Sequence, residues 1–227
     1  MITLARIGLI ALTVWLWLAM PVLAGAWMRE EGTGFFSSSI EHDGKEQGNA
    51  STYLEFGARP DLTVGADLSI ELFPESTSTS YAGFFLRRPL GNAEGTHRWA
   101  WRLGAGVAWD MEVTQPYLET GLHWGRGIEL WQRYGWAAID GTIKWETMTG
   151  DQIVKLDSTL GLGVSERLKG MMQLFLEYDQ ETTVTKVAPS VLWEPEGFGG
   201  FTFQFGAVIE SGAEDRPTLK LGIWREF

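Results

Sequence analysis

The chain has 227 residues, a formal net charge of −11 and no cysteine. That length suits one domain or one barrel, and the acidic balance excludes nucleic acid, whose phosphates demand a basic surface. The missing cysteine excludes disulfides, thiolate catalysis and lipid attachment at an N-terminal Cys. Twelve Trp and twelve Phe are a heavy aromatic load for so acidic a soluble chain. Interfacial girdles on membrane strands would give them a use.

Residues 1–24 have the layout of an export signal. Arg6 supplies the positive start, Ile7 to Ala19 is an apolar run, and Pro21-Val22-Leu23-Ala24 offers small residues for cleavage. Cleavage after Ala24 and cleavage after Ala26 satisfy the small-residue preference equally. A retained anchor is the competing reading, but the apolar run is shorter than the ~20 residues a spanning helix needs. After Ala24 no apolar run is long enough to span a membrane as a helix. A membrane location for residues 25–227 therefore requires a closed barrel.

From there the chain reads as a series of alternating segments, about twelve in all. Weak ones cover 33–41 and 50–59, and the first clear one is Thr63 to Phe73. There Val64, Ala66, Leu68, Ile70 and Leu72 oppose Thr63, Gly65, Asp67, Ser69 and Glu71, the two-residue period of a strand. A weak segment at 80–88 precedes 97–109, where Trp99, Trp101, Leu103, Ala105, Val107 and Trp109 oppose Arg98, Ala100, Arg102, Gly104, Gly106 and Ala108. Segments near 114–125 and 133–146 follow. Then 153–165 sets Val154, Leu156, Leu160, Leu162 and Val164 against Lys155, Asp157, Thr159, Gly161 and Gly163. Segments 171–179, 182–194 and 201–210 continue the pattern. No helical period is convincing after residue 24.

Turn residues separate the segments. Arg59-Pro60-Asp61-Leu62, Glu166 to Gly170 and Pro195 to Gly200 read as tight connections, and the longer polar pieces 41–49, 73–80, 147–152 and 211–216 fall at the other ends. An even strand number puts both termini on one side, the periplasmic side of a barrel, with the polar pieces outside the cell.

The final twelve residues, Arg216 to Phe227, place Leu219, Leu221, Ile223 and Phe227 on one face and Thr218, Lys220, Gly222 and Glu226 on the other. This segment resembles the C-terminal recognition strand of bacterial outer-membrane β-barrel proteins, with Arg225 departing from the apolar residue usual at that place. The hairpins Leu54 to Leu68 and Leu160 to Tyr178 are similar to those of proteobacterial barrels, including transporters associated with aromatic-compound degradation. The resemblance implies an outer-membrane location, contact with outer-membrane lipids, and assembly through periplasmic chaperones and the barrel-assembly machinery. It gives Leu219, Leu221, Ile223 and Phe227 the role of assembly signal. The expected fold is an all-β, antiparallel, up-and-down transmembrane barrel of about twelve strands over residues 25–227, preceded by a signal helix.

Alternation alone also suits a soluble sandwich or a secreted lipid-binding barrel, where the apolar face is inside. The export signal, the terminal strand and strand lengths above the ~5–6 residues common in globular proteins favour the membrane barrel. Its inner face would then carry Arg59, Asp67, Arg87, Arg102, Glu119, Asp140, Lys155, Asp157 and Glu177, as electrostatic filters in a mixed-charge, slightly acidic lumen. Those charges could instead pair across a narrow interior and plug it.

The expected activity is a passive pore or transporter-like channel for small solutes. A non-conducting structural or partner-docking barrel is one alternative, and a lipid-modifying enzyme is another. Outer-membrane lipid hydrolases place His beside Ser on the outer face; the three histidines here, His42, His97 and His123, lie in no His-x-Ser-Asn stretch. His123, on the polar face, reads as a lumen histidine bonded to a carboxylate. No catalytic residue, metal ligand set or cofactor is expected: Asp43, Glu46, Asp179 and Glu181 lack the spacing of a calcium loop, and no glycine loop cradles phosphate.

Overall fold

The structure is a computed structural model describing residues 25–45, 48–73, 79–92, 95–180, 182–211 and 217–227. The expected signal helix lies outside the described residues. Twelve strands follow in order: β1 (Gly34–His42), β2 (Gly48–Arg59), β3 (Leu62–Glu71), β4 (Ser80–Pro89), β5 (His97–Trp109), β6 (Thr114–Leu130), β7 (Arg133–Glu146), β8 (Gln152–Gly163), β9 (Leu168–Tyr178), β10 (Thr183–Trp193), β11 (Phe201–Glu210) and β12 (Thr218–Glu226). Each pairs antiparallel with its chain neighbours, and β1 closes on β12 from Phe35↔Glu226 to His42↔Leu219. Closure leaves no sheet edge with unpaired backbone groups, as a wall in hydrocarbon requires.

At the closing seam Gly34 and Phe227 exchange backbone hydrogen bonds, 2.6 Å from the Gly34 amide and 3.0 Å from the Phe227 amide. A Cβ on Gly34 would stand 2.3 Å from the Phe227 ring, so the terminal aromatic occupies the space that glycine leaves. The end where this seam lies also carries the β2–β3, β4–β5, β6–β7, β8–β9 and β10–β11 connections. We call it the terminal-side end, and the opposite one the loop-side end.

Side chains sort by alternation. Phe84 (75% exposed), Leu118 (55%), Ile209 (51%) and Leu219 (57%) stand on the outer face. Thr63, Arg87 and Glu119, on the inner face, are nearly inaccessible. A continuous apolar exterior of this size is an aggregation liability in water and is satisfied by lipid. Trp99 and Trp109 share the outer face at opposite ends of β5, the placement of two interfacial girdles. The girdle reading is incomplete, however: Trp27 and Trp136 are buried inside, and Trp224 packs against them.

The two-residue connection from β6 to β7 has Trp131 (φ 51°) and Gln132 (φ 62°) both in the left-handed region. That backbone suits the hairpin twist but costs a non-glycine residue about 1–2 kcal/mol. Replacing the pair by Asn-Gly is expected to raise the urea midpoint of the lipid- or detergent-held barrel. An unchanged or lowered midpoint would contradict this turn geometry.

Candidate functional site: the barrel interior

Residues 25–33 enter the barrel before β1 begins. Ala26 and Trp27 are buried, and Arg29 nearly so. The Trp27 ring fills the space at Gly125 of β6, where an added Cβ would be 2.3 Å from it. Around it gather Trp136 and Ala138 of β7, Met171 of β9, Leu192 of β10 and Trp224 of β12. Two residues on, the chain meets the opposite wall. The Arg29 amide donates to Thr63 Oγ1 at 3.0 Å, its Nε to Glu55 Oε2 at 2.8 Å and its Nη1 to Glu226 Oε1 at 3.2 Å. The segment therefore crosses the lumen at the terminal-side end, from the β6–β7 wall to the β2–β3 wall, and β12 meets both groups through Trp224 and Glu226.

Charges are layered above it. Glu55, with a fully buried side chain, accepts from Arg29, from Arg87 and from the Tyr53 hydroxyl, and Arg87 also donates to the Tyr53 oxygen at 2.8 Å. At mid-height Arg102 pairs with both Asp67 and Glu119, its guanidinium 3.8 Å above the Phe85 ring. The carboxylate expected beside His123 is Asp140 on the neighbouring strand, 2.7 Å from Nδ1. Towards the loop-side end stand Lys155–Glu177 at 2.5 Å, Lys186–Glu210 at 2.9 Å and Lys220–Glu41 at 2.8 Å. Lys144 sits 4.0 Å over Tyr81 and 4.6 Å over Tyr117, with no carboxylate within salt-bridge distance among the described residues. Outside the wall, the exposed Asp110 of the β5–β6 loop accepts the Glu112 and Val113 amides, each at 2.7 Å, and these hold its carboxyl below the usual range.

Eight of the nine residues expected to line the lumen thus lie on the inner face: Asp67, Arg87, Arg102, Glu119, Asp140, Lys155, Asp157 and Glu177. Arg59 does not. The β2–β3 register shifts between Gly57 and Arg59, so Arg59 pairs with Leu62, the outward neighbour of Thr63, and is exposed at the rim. Interior groups outside the expected filter include Arg29, Tyr53, Glu55, Lys144, Lys186, Glu210, Lys220 and the ring of Trp27. For Glu55 and Lys144 alternation alone was a sufficient signal. Nothing periodic marks residues 25–33.

The fold and interior together define a twelve-stranded barrel of the outer-membrane type, apolar outside and charged within. The chain matches no protein-family model and no curated protein sequence. Its fold is similar to that of KdgM porin, with a TM-score of 0.58, 4% identity, and coverage of 86% of this chain and 99% of that one. It is likewise similar to KdgM porin in complex with disordered oligogalacturonate, with a TM-score of 0.56, 4% identity and the same coverage. LpxR from Salmonella typhimurium gives a TM-score of 0.55 at 7% identity, covering 84% of this chain and 99% of that one. At such identities the likeness concerns the fold alone.

Among the described residues no group of three His, Asp or Glu side chains is placed to hold a metal ion.

Proposed function

We propose that residues 25–227 form an outer-membrane channel for small hydrophilic solutes, exported by the signal at 1–24 and assembled through the C-terminal strand carrying Leu219, Leu221, Ile223 and Phe227. Periplasmic chaperones and the barrel-assembly machinery are its assembly partners, and outer-membrane lipids its surroundings. The observation that carries this reading is the closed wall with two opposite faces: exposed Leu, Ile and Phe outside, and a charged ladder inside. The porin fold of similar shape supports it. An oligogalacturonate, the ligand of one such porin, is an acidic saccharide, and acidic or neutral saccharides are reasonable first solutes to try here.

In this reading segment 25–33 narrows the terminal-side end, and the loop-side pairs select among solutes that reach it. Lys155, Glu177, Lys186 and Glu210 are the accessible filters, with side-chain exposures of 24%, 41%, 42% and 39%. Asp67, Arg87, Arg102 and Glu119 are held in pairs and shape the passage more than they attract ions. Planar-bilayer recording tests the channel directly: folded protein should give discrete conductance steps, and their absence from folded, inserted protein would favour the structural or docking barrel.

Lys144 provides a sharper check on selectivity. Lys144 is nearly buried, but with rings beside it and no carboxylate within ion-pair distance among the described residues its field acts on the lumen. Lys144→Gln is expected to move the reversal potential in a salt gradient towards cation preference. An unchanged potential would remove Lys144 from the filter.

A further inference from the structure

Asp140 of β7 and Asp157 of β8 are register partners on the inner face. Directly opposed like charges destabilise an antiparallel pair unless a cation or a shared proton lies between them. Among the described residues, neither has a Lys or Arg nitrogen within the 4.0 Å of an ion pair, and the contact of Asp140 is the His123 ring. One main-chain atom group does approach. A Cβ built on Gly25 would be 2.6 Å from Asp140 Oδ1 and 2.9 Å from Oδ2, so the Gly25 nitrogen is within about 5 Å of that carboxylate by covalent geometry. The approach is held in place by Ala26 and Trp27, at 2% and 4% exposure.

We infer that the mature chain begins at Gly25 and that its α-ammonium is a resident cation of the lumen, seated on the Asp140–Asp157 carboxylate pair. Hydrolysis of the Ala24–Gly25 amide consumes one water, breaks the C–N bond, and leaves a carboxylate on Ala24 and an ammonium on Gly25. The structure thereby chooses between the two cleavage positions that composition leaves equal. Cleavage after Ala26 would remove the residue that reaches Asp140, empty the niche of Ala26, and leave the two carboxylates facing each other. The signal-bearing end thus supplies a charge where, among the described residues, no Lys or Arg of the inner wall makes an ion pair. This inference is independent of whether the lumen conducts.

The test uses protein purified from membranes after export. Its intact mass should correspond to a chain starting at Gly25; a start at Trp27 overturns the inference. The folded protein is then treated with a water-soluble carbodiimide, which activates a carboxylate and joins it to a touching amine with no inserted atoms. The reaction is carried to the dose at which Lys155 and Glu177 have coupled. Peptide mapping should show the Gly25 amine joined to Asp140 or Asp157. Asp140→Asn combined with Asp157→Asn should lower that product at least tenfold. A chain starting at Gly25 whose amine joins neither aspartate at that dose overturns the proposed seat, and wild-type protein alone decides this if the double variant does not fold.

Discussion

A chain beginning at Thr33, refolded without residues 25–32, is expected to conduct at least about twofold more current per channel than a chain of residues 25–227, because a lumen constriction sets conductance. The deletion removes the Trp27 ring from Gly125 and the Arg29 guanidinium from Glu55, the two anchors by which the segment crosses the terminal-side end. Trp27→Ala should reproduce part of the gain while keeping every strand intact. The hydrophobic group left behind, Trp136, Met171, Leu192 and Trp224, stands on the walls and does not bridge them. Equal conductance for deleted and intact chains would mean that current bypasses the segment, and its role as a constriction would be wrong.

The second large effect concerns Glu55. It holds two guanidinium groups and a tyrosine hydroxyl with no solvent around its own side chain. Removing one partner of a buried ionic cluster commonly costs about 3–5 kcal/mol, since the remaining charges stay buried without compensation. Glu55→Gln should therefore lower the unfolding free energy in detergent by that order, read from urea titration. Arg29 keeps Glu226 and Arg87 keeps Tyr53, so the barrel should still close. Combining Glu55→Gln with Arg87→Gln should cost less than the two single changes added together, the mark of a shared network. Strict additivity would show that Glu55 and Arg87 do not depend on each other.

Much of this architecture is legible in the chain because a wall between lipid and water forces a two-residue period. The expected segments 97–109, 133–146 and 201–210 coincide with β5, β7 and β11, and the weak ones at 33–41 and 80–88 differ from β1 and β4 by a residue. Strand β6 runs to Leu130, beyond the expected 125, because Arg126 to Leu130 continue a hairpin past the apolar band, where alternation no longer applies. Arg59 was misplaced because a register shift flips every later side chain to the other face. The partners within the lumen were not legible at all: Arg29 reaches Glu226 across 197 residues, and Glu55 finds Arg87 two strands away. Such choices depend on barrel closure and on a non-periodic segment that leaves no pattern in the sequence. The inward tryptophans escaped for a similar reason, since aromatic content alone does not say which face of a wall a ring occupies.

The central claim, that one face of each strand meets lipid and the other a water-accessible lumen, can be tested on adjacent residues of β9. The natural chain has no cysteine, so single thiols report without background. In sealed proteoliposomes a charged, water-soluble thiol reagent should modify Gln173→Cys, on the inner face, and leave Leu174→Cys, on the outer face, unmodified. Modification of Leu174→Cys with protection of Gln173→Cys would contradict the account.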